Sequence, residues 1–424
     1  MQRFGAPSQP PAPNNINRDR PRGSFMQSSF LRNAIVLGLL VAVGPFAIDM
    51  YLPALPAIAS DLHASTAATQ MTLMVFFVTF GVCQLAYGPL SDMFGRKRPL
   101  YFGLAVFAAG GIGCGFAPTI EWLIFFRFVQ GVGAAAVMVI PRAIIRDLYT
   151  GNDATRLMST VMLVFSVSPI LAPLMGSALI VPFGWRSVFV AVTVVAILGL
   201  LLVMFSLQET RPVSQRVPLR FGTAMGAFGT LFKDARFMGL TFIGGLGMAS
   251  FFAFLASSSF VYIDHFGLTP TQYSLAFSVN AVGFIGASQF AAKLGERFGM
   301  AAVMGAAVAA YAAMSLVLLG VTLAGVDNMW LLIAMLVVAF ACLGLVIPTT
   351  MVLSLEDHGP IAGTASALGG MLQFMTGAVT ITIASAFFDG TALPMIAVIA
   401  VCALGALALT RVTPAPRVVM QPAE

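Results

Sequence analysis

Apolar runs of about 20 residues, broken by short polar stretches, follow one another along almost the whole chain. At about 1.5 Å of rise per residue, each run is long enough to cross a hydrocarbon core of about 30 Å as one helix. Twelve are predicted, over 33–57, 68–88, 99–117, 121–141, 157–180, 187–207, 238–261, 272–292, 300–323, 330–354, 363–386 and 393–411. The runs are continuous and rich in Gly and Ala, whereas membrane β-strands alternate apolar and polar residues over short segments. The pattern predicts an all-α membrane protein with twelve transmembrane helices.

The longest internal polar stretch, 208–236, divides the spans six and six. The expected organisation is a disordered tail over 1–32, a six-helix bundle over 33–207, a linker over 208–236, a second six-helix bundle over 237–411 and a tail over 412–424. An internal repeat agrees with this division. "GPLSDMFGRKR" after the second run is echoed by "AKLGERFGM" after the eighth, with Gly95 matching Gly299 and Asp92 matching Glu296 at the same offset. Two pseudo-symmetric six-helix halves around a central path suggest alternating access, one half rocking against the other.

Composition strengthens this picture and orients it. The chain is 59% hydrophobic and 9% charged, with a mean hydropathy of +0.94, far from an ordinary soluble domain. Basic residues gather on alternate connections: Arg3, Arg18, Arg20, Arg22 and Arg32; Arg96, Lys97 and Arg98; Arg142, Arg146 and Arg156; Arg211, Arg216, Arg220, Lys233 and Arg236; Lys293 and Arg297; Arg411 and Arg417. Of 22 basic residues only Arg127 and Arg186 fall elsewhere. Because Lys and Arg concentrate on the cytoplasmic side, both termini are expected there. "EDHGP" at 356–360 breaks the trend, but acids weigh little in this rule. The net charge of +6 is thus a topology signal and no sign of nucleic-acid binding.

Other chemistry is sparse. Cys83, Cys114, Cys342 and Cys402 fall inside apolar runs without a CxxC pair, and read as apolar fillers rather than disulfide or metal ligands. His63, His265 and His358 lie in connections. The sequence has no HExxH, nucleophile elbow or phosphate-binding loop, which argues against a membrane enzyme and an ATP-driven pump.

Two charges remain inside the membrane. Asp49 is the only acid well within a run, and Arg127 its only basic counterpart away from a run's end. A mid-membrane carboxylate costs about 2.5–3.5 kcal/mol on insertion scales, so it should face a cavity or a partner. Counted from the run ends, both groups lie about 9–14 Å below the outer surface, a depth at which they could meet. Two readings stay open. In one, burial favours the neutral acid and Arg127 the anion, so changes of hydration or distance load and unload a proton. In the other, a fixed ion pair simply joins spans one and four. Pro53 and Pro56 remove backbone donors just beyond Asp49 and bend the end of the first span, either to open a cavity or only to shape the helix end.

The motifs resemble those of the major facilitator superfamily, and specifically its bicyclomycin/chloramphenicol-resistance (Bcr/CflA) branch of drug:proton antiporters. "DMYLPALPAI" from Asp49 resembles that branch's first-span signature. "YGPLSDMFGRKRP" from Tyr87 resembles the loop motif G-x-L-x-D-R-x-G-R-R/K, with Met93 where the family carries a basic residue. "RFVQGVGAAA" from Arg127 resembles the fourth-span motif. "SPILAPLMGS" from Ser168 resembles the antiporter motif of span five, with Ala172 and Ser177 in place of its first and last glycines. "GTASALGGMLQF" from Gly363 is similar to span eleven.

The resemblance implies a proton-coupled multidrug efflux antiporter that exports small amphiphilic antibiotics and needs no cofactor beyond the proton gradient. It implies a monomer in the cytoplasmic (inner) membrane, with protons, lipids and a small-molecule substrate as its partners. An exporter of an endogenous metabolite, or a non-transporting sensor on the same fold, are the alternatives. Asp49 and Arg127 would couple protons. Gly88, Asp92, Gly95 and Arg96 would form a conformational latch, with Asp92 contacting a helix N-terminus and a nearby base and Arg96 pairing across the half. Pro169, Pro173 and Gly176 would carry the antiporter motif, as a barrier to leak or as ordinary small-residue packing. Tyr51, Gln130, Phe251, Phe254, Asn280 and Gln373 are candidates for lining an aromatic, sparsely polar cavity suited to lipophilic compounds.

Overall fold

The computed structural model describes residues 22–216 and 221–414. The first half contains α1 (Arg22–Asp49), α2 (Leu55–Asp61), α3 (Thr66–Phe94), α4 (Lys97–Phe116), α5 (Ile120–Leu148), α6 (Gly151–Phe183) and α7 (Arg186–Ser206). The short helix α8 (Phe221–Lys233) lies between the halves. The second half contains α9 (Ala235–Ser259), α10 (Pro270–Ser288), α11 (Ala291–Phe298), α12 (Met300–Leu323), α13 (Met329–Glu356), α14 (Ala362–Ala386) and α15 (Leu393–Val412). The described residues hold 12 stretches long and apolar enough to cross a membrane, the first being Phe30–Asp61. The fold is all-α, as the apolar runs require.

Local chemistry sets where these helices begin and end. Ser65 Oγ accepts the Ala68 N–H at 3.2 Å ahead of α3, and Asn328 Oδ1 accepts the Leu331 N–H at 3.0 Å ahead of α13. Thr269 and Gln272 form a capping box on α10. Gly95 and Gly299, the pair aligned by the repeat, close α3 and α11 with the same φ of 86°. The first span is interrupted. Helix α1 stops at Asp49, a tight turn occupies Leu52–Ala54, and α2 resumes at Leu55. Pro53 has no N–H for the Asp49 carbonyl and Pro56 none for the Leu52 carbonyl, so the α-helical ladder cannot run through.

Packing repeats the sequence symmetry. In the first half α1 lies against α5, α6 and α7, α3 against α5, and α4 against α5 and α7. In the second half α9 takes the place of α1 against α13, α14 and α15, α10 that of α3 against α13, and α12 that of α4 against α13 and α15. The halves meet along two seams, α3 with α14 and α6 with α10.

Three features go beyond the apolar pattern. Helices α5 and α6 extend past the predicted runs, so Arg142, Arg146 and Arg156 stand on helices rather than in a connection. The linker is not wholly extended, because α8 docks on the second half through Leu231, packed with Phe237, Ala365 and Leu368. Helix α1 begins at Arg22, within the tail expected over 1–32; residues 1–21 of that tail, and 415–424 of the C-terminal one, lie outside the described residues.

Candidate functional site

The interruption of the first span builds the most unusual site in the molecule. Once the chain leaves the helix after Asp49, the Ala47 carbonyl loses its partner four residues on. Arg127, on α5, takes that carbonyl with Nη1 at 3.2 Å and donates from the same atom to Gln130 Oε1 at 2.7 Å. Its guanidinium lies 4.3 Å from the Phe76 ring centroid and 4.7 Å from that of Tyr51. Tyr51 is held in turn by Thr72 at 2.8 Å, either hydroxyl donating. Arg127 is fully buried, and its Nε and Nη2 have no partner among the described residues.

Asp49 lies two residues beyond the carbonyl that Arg127 grips, yet the two side chains form no ion pair. The residue is 6% exposed, and among the described residues no hydrogen bond reaches its carboxyl. The depth argument from sequence brings the two residues to the same region, but the guanidinium is turned toward backbone and aromatic rings. A buried guanidinium needs several compensating contacts, because desolvating a lone cation costs several kcal/mol while a desolvated cation–π contact returns about 2.

The loop motif makes its contacts within the first half and the linker. Arg96 is almost fully buried. It donates from Nε and Nη2 to the two oxygens of Asp147 at 2.7 and 3.2 Å, and from Nη1 to Asp92 and Ser91, each at 2.7 Å. Burial alone would lower the affinity of Arg96 for its proton, and the bonds and charges of Asp147 and Asp92 more than offset this, so its pKa is raised. Asp92 also accepts from Arg211 at 2.8 Å, so its partners here are two arginines rather than a helix N-terminus. Gly88 lies inside α3 with open space where a Cβ would stand, so of the two latch glycines only Gly95, with a φ of 86°, makes a tight turn.

Pro169, Pro173 and Gly176 fall on α6, at its crossing with α1 and α10. A Cβ on Gly176 would run into the Met50 carbonyl at the break in the first span. Ser274 donates to the Pro173 carbonyl at 2.8 Å and Ser278 to the Ile170 carbonyl at 2.9 Å, joining the halves. Gln70 Nε2 joins them again through the Ala256 carbonyl at 3.0 Å and Ser257 Oγ at 3.3 Å. All these bonds lie toward the side away from the termini.

The cavity candidates scatter. Tyr51 and Gln130 belong to the Arg127 site. Phe254 is fully buried in the second half against Phe277 and Phe340, and Phe251 packs on Phe284 and Phe340. The rings that meet the first half are Phe252, stacked on Phe77 at 4.2 Å, and Phe374, against Phe80 at 4.8 Å. The sequence does not tell Phe252, which meets the first half, from Phe251 and Phe254 in "SFFAFL", because helical phase within an unbroken apolar run is invisible to composition. Asn280 donates back to the Ala276 carbonyl of its own helix at 3.0 Å, and Gln373 is half-buried beside Gly244. Gln70, Asp147 and Arg142 went unnoticed as site residues. Gln70 is signalled only as an isolated amide in an apolar run, and Arg142 is partly buried on α5 with Met138 Sδ at 3.8 Å.

Two six-helix repeats meeting along two seams, with charged groups buried where the first span breaks, define a multi-pass membrane protein of transporter architecture. The chain belongs to the Major Facilitator Superfamily, whose family model matches residues 37–381. It is 35% identical over 90% of its length to an uncharacterized MFS-type transporter, YdgK, of Bacillus subtilis, covering 95% of that protein. It is 30% identical to a bicyclomycin resistance protein homolog of Haemophilus influenzae, over 87% of this chain and 92% of that one. It is also 30% identical to multidrug resistance protein D of Escherichia coli, over 80% and 84%. These relatives support the Bcr/CflA-type resemblance. Among solved structures, the nucleoside transporter NupG shares the fold with a TM-score of 0.72 at 13% identity, covering 91% of this chain and 98% of that one.

Proposed function

We propose that this protein is a proton-coupled antiporter of the cytoplasmic membrane that exports small amphiphilic antibiotics, phenicol or bicyclomycin-like, by alternating access. The observation that carries the reading is Asp49, a nearly buried residue whose carboxyl has no partner among the described residues, placed where the first span breaks and two residues past the carbonyl that Arg127 holds. The names of the resistance-protein relatives support the substrate class. With both termini cytoplasmic, the bonds made by Gln70, Ser274 and Ser278 close the outer side, and the molecule faces inward. An isolated carboxyl in so dry a place costs least with its proton on. When water or substrate reaches it the proton leaves, and Arg127, whose Nε and Nη2 have no partner among the described residues, is the cation toward which a rearranged first span can turn the anion. A permanent ion pair does not account for this unpaired arrangement. Asp92 and Arg96 serve as the latch on the cytoplasmic side, the proton gradient supplies the energy without a cofactor, and one chain holds the whole path.

The test is chloramphenicol-induced proton movement in inside-out vesicles containing the parent or Asp49→Asn at equal insertion. Movement in the parent and none in the variant is expected. Equal movement in both would remove Asp49 from the mechanism, and none in the parent would reject phenicols as substrates.

A further inference from the structure

We propose that Glu209, in the linker just after α7, is a positioning residue that sets the latch loop between α3 and α4 and couples it to the movement of the second half. Its carboxylate lies directly on the loop backbone. Oε1 accepts the Arg96 N–H at 2.8 Å and Oε2 the Lys97 N–H at 3.1 Å, while Oε1 also accepts the N–H of Arg211 at 3.0 Å. The Arg96 and Lys97 amides open α4, which has no side-chain cap of its own. A carboxylate there satisfies two orphan donors and favours the helix dipole. Gly95 is shaped around it. A Cβ at Gly95 would stand 2.7 Å from Glu209 Oε2 and 2.9 Å from its Cδ, and the φ of 86° disfavours a side chain in any case.

Glu209 holds the backbone from which the latch side chains reach out. With Arg96 fixed by its own N–H, its guanidinium meets Asp147 and Asp92. The next two linker residues bind the same two carboxylates, Thr210 donating to Asp147 at 3.0 Å and Arg211 to Asp92 at 2.8 Å. Lys97 Nζ returns to the Leu207 carbonyl at 2.7 Å. Leu207, Glu209, Thr210 and Arg211 therefore contact Lys97, Arg96, Asp147 and Asp92 between them. The other end of the linker is anchored elsewhere: Leu231 of α8 is fully buried with Phe237 of α9 and with Ala365 and Leu368 of α14. Helix α14 is also the second-half partner of α3 across the seam. The residues that hold the latch loop in one half and the one that packs on α14 in the other thus belong to the same linker. The role rests on the rocking exchange proposed above, though not on its substrate or its proton.

The experiment uses the full chain in lipid nanodiscs, its native cysteines replaced, with spin labels at the exposed positions 156 and 297 on the termini side. The parent is expected to populate a short and a long distance. Glu209→Ala and Glu209→Gln should reduce the long component, the inward-facing arrangement in which these contacts are made, by about tenfold, as loss of charge-assisted bonds to two amides implies, and Glu209→Asp should restore much of it. Hydrogen exchange at Arg96 and Lys97 should quicken in both neutral variants. If Glu209→Ala does not fold, the near-isosteric Gln variant carries the test. A lower Tm with the parent's distances and exchange would reduce Glu209 to a helix cap and overturn the proposal. Two distances in the parent, unshifted in the variants, would overturn it alone, whereas a parent with a single distance would overturn the rocking exchange as well.

Discussion

Arg127 is held by shape as much as by charge. Its plane fits between Tyr51 and Phe76 while one nitrogen serves both the Ala47 carbonyl and Gln130. Lysine carries the same charge as a point on a flexible stem, with no planar group to lie against the two rings. Arg127→Lys should therefore lower the initial rate of chloramphenicol uptake into inside-out vesicles by about tenfold at matched expression, a loss of about 1.4 kcal/mol. Arg127→Met should lower it further, because Gln130 Oε1 and the Ala47 carbonyl would stay buried without a donor. At this scale the sequence was informative about identity and poor about contact. Asp49 and Arg127 stand out as charges in apolar runs, but nothing in their spacing tells which way a side chain turns once the helix breaks.

At the scale of the element, the two motif glycines tested by packing behave differently. Gly176 lets α6 approach the broken end of α1 so closely that a Cβ would enter the Met50 carbonyl. Gly176→Val should cost about 1–3 kcal/mol, the range of an overpacked contact, read as an earlier thermal unfolding transition in detergent. Gly88 lies inside α3 with open space around it. Gly88→Ala should leave that transition unchanged or raise stability by about 0.5–1 kcal/mol, the helix preference of Ala over Gly. Span existence was legible because 20-residue apolar runs have one solution in a membrane. A bend beyond Asp49 was legible too, since Pro53 and Pro56 remove backbone donors, whereas the full break between α1 and α2 was not. The length of α5 and α6 was not, because basic residues at helix ends look like loop residues in a hydropathy pattern.

Across the whole molecule, the halves are held on one side by Gln70, Ser274 and Ser278. These are neutral bonds worth about 0.5–1.5 kcal/mol each, strong enough together to bias the molecule and weak enough to break in each cycle. The triple variant Gln70→Ala, Ser274→Ala and Ser278→Ala should raise the population open on that side by about tenfold or more. The measurement is the distance between spin labels at the exposed positions 121 and 327, where a longer component should grow. An unchanged distribution would assign the closure to the ring contacts of Phe77, Phe80, Phe252 and Phe374 instead.

The sequence by itself determined that the chain crosses a membrane as helices, that it does so in two related sets of six, and which charges are out of place. Those conclusions follow from length, periodicity and the cost of polar groups in oil, which act on each segment separately. Tertiary structure decided what those charges touch: Arg127 on a freed carbonyl rather than on Asp49, Asp92 between two arginines, and Glu209 beneath Gly95. Each depends on helix rotation and crossing, and within an apolar run every face looks alike until its neighbours are in place.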